Sequence, residues 1–288
     1  MAIPTFVKQG NEPLFPEVFW NRPTMRARAG RLLAIGGQRN QFSLLQAVYQ
    51  LAEAAGIGEC QAAMPDSLRR LVGPAEFARL LPASASGSLG KAALGELLAI
   101  APDFDALIIG MNLTTNAETG VMIESLITRL EMPVVVTEEA IGILKFNPAL
   151  ITGNPQALVV TTMAGLFALA NHHSMPIAIK PQAGVVAKME ILQQLVDISK
   201  CAYVVCDGEV LVAAEGQMSL TPLDHSLSNL PAAPIGVAAT FWTQHRAKPF
   251  TALTTAAFVL AQAARKTDKP SYSTLQAGVR QALKRFES

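Results

Sequence analysis

The stretch "RLLAIGGQRNQFSLLQAVYQLAEAAGIGECQAAM", residues 31–64, decides the fold. "RLLAIG" (31–36) is a short apolar strand that ends on glycine, and "GQRN" is a turn. Beyond it Phe42, Leu44, Leu45, Val48, Leu51 and Ala52 recur at three- and four-residue spacing, which lines one face of a helix. Asn40 is placed to cap that helix at its start, and Gly56 to follow its last turn. "ECQAAM" (59–64) then reads as a second strand. Strand, helix and strand in immediate succession are the unit of a parallel sheet, because parallel neighbours need a crossover connection.

The alternation continues outward. Helices are expected around 66–72 and 74–81, a loop over "SASGSLG" (84–90), and a further helix to about Ile100. "DALIIG" (105–110) is a strand of continuous apolar residues, as suits one covered on both faces. Helix "NAETGVMIESLITRLE", with Asn116 as N-cap, leads to strand "PVVVT" (133–137). "ALVVT" (157–161) leads to helix "TMAGLFALA", and "MPIAIK" (175–180) is one more strand or part of a loop insertion. Helix "KMEILQQLVDIS" precedes "AYVVCDGEVLVAAEG", two β-rich runs around Asp207-Gly208 that signal a hairpin. Helices over 235–247, 250–265 and 272–286 close the chain.

Repeated strand–helix units without a long linker predict one α/β domain over 31–288, in three layers, with a largely parallel sheet between helices. Residues 1–30, punctuated by Pro4, Pro13, Pro16 and Pro23, form an irregular arm that wraps the domain or a neighbouring subunit. Ligands of such sheets bind at the carboxyl ends of the strands. That rule gathers "GGQRN", "GMNLTTN", "TEEA", "TTMAG" and the 228–236 turn on one rim.

Composition limits the partners. The chain has 288 residues, half of them hydrophobic, 16% charged, with a formal net charge of +1, so no basic face for nucleic acid is implied. Its most apolar windows fall short of the roughly 20 residues that span a bilayer, so no membrane partner is expected. The N-terminus lacks the pattern of a secretory signal, and three cysteines suit a reducing cytoplasm. The four histidines have no metal-ligand spacing. High apolar content and the Pro-rich arm favour a homo-oligomer.

Several rim residues have both a binding and a structural reading. Gly36 and Gly37 contact a ligand or shape a tight turn. Gln38, Arg39 and Asn40 adjoin them, and Asn112 follows the strand at 105–110. Glu138 and Glu139 hold Mg²⁺ or serve as a base, or else sit in the first turn of a helix, where acids favour the dipole. "SNLPAAPIGVAATFWTQ" (228–244) is a small-residue loop running into a helix, with no Asp, Glu, Lys or Arg. It is a backbone anion seat, or Pro234 and Gly236 serve the packing of a buried helix.

This order of elements and loops resembles the ribokinase-like superfamily, and within it the ADP/ATP-dependent NAD(P)H-hydrate dehydratase branch. Residues 28–65 are similar to that branch's opening strand, Gly-Gly turn, helix and second strand. "DALIIGMNL", with Gly110, stands where the branch has a strand ending in Gly-Pro-Gly-Leu, and "MPVVVTEEAI" resembles its strand ending in Asp-Ala-Asp-Ala-Leu. "KPFTALTTAAFVLAQAA" resembles the helix after its nucleotide loop. The resemblance implies a repair lyase, in which a nucleotide phosphate activates the hydroxyl of hydrated NADH or NADPH. It also implies an Asp base in a Gly-Thr-Gly-Asp loop.

The catalytic motifs are degenerate. Gly236 and Val237 fall near the Gly-Asp position, and Asp224 comes about a dozen residues too early, so a base would have to be relocated to a residue such as Glu138, Glu139 or Asp224. The Thr-Pro-His-Pro-Gly-Glu segment is "TTMAGL", which keeps Thr161 and Gly165 but has Met163 for the His and Leu166 for the Glu. The Lys of Leu-Lys-Gly is missing at Val205-Cys206-Asp207, and Glu139 is the one acid kept from Asp-Ala-Asp. The expectation is a divergent, catalytically impaired relative that retains a nucleotide or small-molecule site, with ADP or ATP and Mg²⁺ as ligands to test. The alternatives are an active dehydratase or small-molecule kinase with relocated groups, and a structural protein that keeps the fold alone.

Overall fold

The computed structural model describes residues 5–74, 76–175, 184–265 and 269–286. Among the described residues ten strands form one sheet: β1 (Val7–Lys8), β2 (Arg31–Gly36), β3 (Glu59–Pro65), β4 (Ala78–Leu81), β5 (Ala106–Met111), β6 (Val134–Thr137), β7 (Ala157–Thr161), β8 (Ala202–Cys206), β9 (Glu209–Ala214) and β10 (Gln217–Pro222). Their order is β1-β10-β9-β8-β7-β6-β5-β2-β3-β4. From β4 to β8 all neighbours are parallel; β9 runs antiparallel to β8 and to β10. The chain winds outward from β2 in one direction through β3 and β4, and in the other from β5 onward. The crevice between the carboxyl ends of β2 and β5 is therefore the switch point of the sheet.

Side chains alternate between two cores. Leu32 and Ala34 of β2 face one cluster with Val204 and Cys206 of β8, whereas Leu33 and Ile35 face the other with Tyr203 and Val205. The first core is closed by α1 (Glu17–Trp20), α2 (Ser43–Ala54), α10 (Ala232–Gln244), α11 (Pro249–Ala264) and α12 (Tyr272–Lys284). The second is closed by α4 (Lys91–Ile100), α5 (Ala117–Arg129), α6 (Glu138–Ile143), α7 (Ala149–Thr152), α8 (Met163–His172) and α9 (Val185–Ile198). The short α3 (Arg69–Val72) lies between β3 and β4. This is the three-layer α/β architecture expected.

The departures have local causes. Residues 78–81 form the edge strand β4 rather than a helix, because pairing with β3 from Ala62 to Pro65 overrides the helical spacing. Strand β10, absent from the reading, is produced by a turn at Glu215 and Gly216, both at positive φ, that folds the chain back on β9. Helix α2 starts at Ser43, so Asn40 lies in the exposed turn before it and does not cap it. Its far end is as expected: Gly56 at φ +83° donates to Glu53 O, and Ile57 donates to Ala52 O, the two bonds of a Schellman ending. The segment 175–180 lies, except for Met175, outside the described residues.

Residues 5–30 pack on their own chain. Strand β1 extends the sheet beside β10, and Phe19, 5% exposed, stacks on Phe286 with ring centroids 4.4 Å apart. Among the described residues no helix is long and apolar enough to cross a membrane.

Candidate functional site

A cavity of about 280 Å³ opens at the carboxyl ends of β5 to β8, between that rim and the start of α10. Gly110, Thr137, Glu138, Glu139, Thr161, Thr162 and Ser228 give it polar groups; Leu44, Val160, Cys206, Leu227, Pro231, Pro234 and Ile235 make it largely apolar. Glycine shapes its floor. Gly110 sits at φ +103°, and a Cβ there would lie 2.5 Å from Thr137 Oγ1 and 2.7 Å from Ala140 N. The bare Cα lets α6 start directly above the end of β5, and Thr137 Oγ1 donates to Gly110 O across that contact. Gly165 has the same use, since a Cβ there would collide with Thr161 Oγ1 and sit 2.8 Å from Glu138 Cγ.

The two glutamates occupy the first turn of α6. The Thr162 hydroxyl donates to Glu138 Oε2 at 2.6 Å, and the Leu113 N–H donates to Glu139 Oε2 at 3.0 Å. Burial pushes the Glu139 carboxyl above the ordinary value of 4.5; N–H donors from Leu113 and Asn112 oppose that, and the Glu138 charge adds to it. A folded-state value above the unfolded one means that stability from protonated Glu139 is complete below 4.5 and is lost as pH rises through the folded value. Glu139→Gln is therefore expected to gain denaturant midpoint over wild type at about pH 8, with the gain disappearing near about pH 3.5. A difference that does not change with pH would show that burial of the charge is not felt.

Other expected site residues lie apart from the cavity. Asn112, buried at φ 55°, uses its Oδ1 to accept the Leu44 N–H at 3.1 Å, so it caps α2 across the switch point. Gly36 packs its Cα against Met111 O, and Gly37, at φ +91°, donates to that same oxygen at 2.7 Å. Gln38 pairs with Gln41 through backbone and side chain. Of the expected set, Gly110, Glu139 and Thr161 line the cavity and Gly165 supports it; Gly36, Gly37, Gln38, Asn40, Asn112 and Gly236 do not.

The anion seat expected before Gly236 takes a different form. Helix α10 begins at Ala232, so Gly236 and Val237 fall in its second turn. There Gly236 is a packing glycine, with its Cβ position 2.9 Å from Val48 O and 3.0 Å from Ala52 N of α2. The donors of the first turn are spoken for. Pro231 and Pro234 have no N–H, Ala233 donates to Leu230 O at 3.0 Å, and Ile235 donates to Pro231 O at 3.3 Å. The Ala232 backbone lies beside the Tyr272 phenol and opposes the upward push of burial on its pKa. A helix start attracts anions through free N–H groups, and here Pro231 and Pro234 have none while those of Ala233 and Ile235 are spent on backbone oxygens.

The substituted positions read the same way. Met163 and Leu166 are buried in the second core. The Cys206 thiol is pushed up to about 12 by burial, so it stays neutral. Asp207 and Glu209 share Lys188 at 3.1 and 2.7 Å, and Asp224 pairs with Arg265 at 3.3 Å. The apolar wall from α10 and the loop before it was missed in the sequence. "LPAAP" held a signal for it, because proline just ahead of an apolar run marks a first helical turn.

No protein-family model matches the chain. A stretch of 139 residues, 47% of the chain, is 30% identical to the bifunctional NAD(P)H-hydrate repair enzyme Nnr of Moorella thermoacetica. The match covers only 26% of that enzyme's length. A ribokinase-like superfamily protein from Enterococcus faecalis superposes with a TM-score of 0.73 at 11% identity, over 98% of this chain and 96% of its own. The ADP/ATP-dependent NAD(P)H-hydrate dehydratase of Bacillus subtilis, co-crystallised with ATP and Mg²⁺, superposes with a TM-score of 0.66 at 15% identity, over 97% and 100%. The chain has the ribokinase-like fold, and the resemblance to the hydrate dehydratases read from its sequence holds in both comparisons.

Proposed function

We propose that the protein is a divergent relative of the NAD(P)H-hydrate dehydratases that binds a small molecule at the β5–β8 rim and has lost the family's turnover. The start of α10 carries this reading: Pro231 and Pro234 lack an N–H, no acid is present, and the Ala233 and Ile235 N–H groups are spent on backbone oxygens. A positioned general base is worth ~10²–10⁴-fold in rate. Glu138 and Glu139 are the acids that line the cavity, and both are anchored by N–H or O–H donors. Three free cysteines, all buried, fit a cytoplasmic setting.

The expected result of an assay with hydrated NADPH, ADP or ATP and Mg²⁺ is recovery of NADPH no faster than in buffer. Recovery that needs the protein and disappears in Glu139→Gln would favour instead an active dehydratase with a relocated base. A second reading, a nucleotide held through Mg²⁺, rests on the pair Glu138 and Glu139 at the end of β6.

A further inference from the structure

The inference about ligand class rests on the small-molecule reading above and deepens it. Among the described residues lining the cavity there are two glutamates and no lysine, arginine or histidine. The cavity is also modest, at about 280 Å³, near the lower end of the size range of small-molecule sites. We propose that it takes a small organic cation, an amine on a compact apolar body, with the ammonium against Glu138 and Glu139. Leu44, Leu227, Pro234 and Ile235 then cover the body.

Physical chemistry separates this class from its rivals. A phosphate or carboxylate would enter a mostly apolar cavity facing two carboxylates, beside a helix start with two prolines and with the Ala233 and Ile235 N–H groups already spent. A neutral hydroxyl compound would fit the walls and leave the charges unmatched. An ammonium donates to carboxylates in charge-assisted bonds, the stronger kind. The carboxylates are also positioned beforehand, Glu138 by Thr162 and Glu139 by Leu113, so little ordering is lost on binding.

The test is calorimetric titration of the whole chain with benzylamine, benzyl alcohol and benzoate, which share one skeleton and differ in charge. Benzylamine is expected to bind at least about tenfold more tightly than either, and Glu138→Gln with Glu139→Gln to abolish that preference. Ser228→Trp, a partly exposed position on the cavity lining, is expected to remove binding without unfolding the protein. Equal or tighter binding of benzyl alcohol would overturn the cationic class and leave the small-molecule pocket standing. Tighter binding of benzoate, or no binding of any of the three, would overturn the cationic class. A competition arm decides the underlying reading separately: displacement of the bound probe by ADP or ATP would bring down the small-molecule reading itself.

Discussion

Gly110→Ala is expected to lower the stability of the fold by roughly 3 kcal/mol or more. Two costs combine. The residue sits at φ +103°, where a side chain strains the backbone. The added carbon would also lie 2.7 Å from the Ala140 N and 2.5 Å from Thr137 Oγ1, and backbone cannot swing aside as a side-chain tip can. The relief would be for α6 to lift off β5, which moves Glu138 and Glu139 with it. Urea denaturation gives the number. Gly95→Ala is the control: that glycine is exposed within α4 with nothing near its Cβ position, so the change should stabilise by about 0.5–1 kcal/mol. Equal midpoints for Gly110→Ala and wild type would contradict the close approach that builds the cavity floor.

Phe19→Ala carries the other large effect, about 3–5 kcal/mol, the usual range for truncating a buried phenylalanine. Phe19 is 5% exposed and meets three rings: Phe286, stacked at 4.4 Å, and Phe258 and Phe241 edge-on at 6.3 and 6.5 Å. It fastens residues 5–30 to α10, α11 and the turn after α12. The variant should therefore be cut by protease within residues 5–30 at concentrations that leave wild type intact. Its neighbour Trp20, 72% exposed, is the contrast, and Trp20→Ala should shift stability by less than about 0.5 kcal/mol. Similar losses at the two positions would mean that the segment is not fastened through Phe19.

The sequence made the central strands and most helices legible because their apolar periods are long and uniform. "DALIIG" is read as a covered strand from its continuous apolar residues, and the strand Ala106–Met111 is buried throughout; "AYVVCDGEVLVAAEG" is read as a hairpin, and β8 and β9 pair antiparallel. Residues 78–81 misled because an edge strand owes its existence to its partner; the helical spacing of "EFARLL" carries no trace of β3. The lining of the cavity was half legible. Gly110 and Glu139 could be found from their place at strand ends. The role of Asn112 could not, since its partner Leu44 lies 68 positions away. The start of α10 was placed a turn late, because the small residues of "AAPIG" were read as loop. Pro234 was thereby weighed only as a packing residue beside Gly236, and the missing N–H groups of Pro231 and Pro234 at the helix start went unread.

The central claim is that the start of α10 no longer offers a seat for phosphate. Titration calorimetry of the purified chain with ADP and ATP, each with and without Mg²⁺, tests it most directly. The account predicts no saturable heat below roughly millimolar nucleotide in any of the four titrations. Micromolar binding of either nucleotide would contradict it, and binding that required Mg²⁺ would move the phosphates to Glu138 and Glu139.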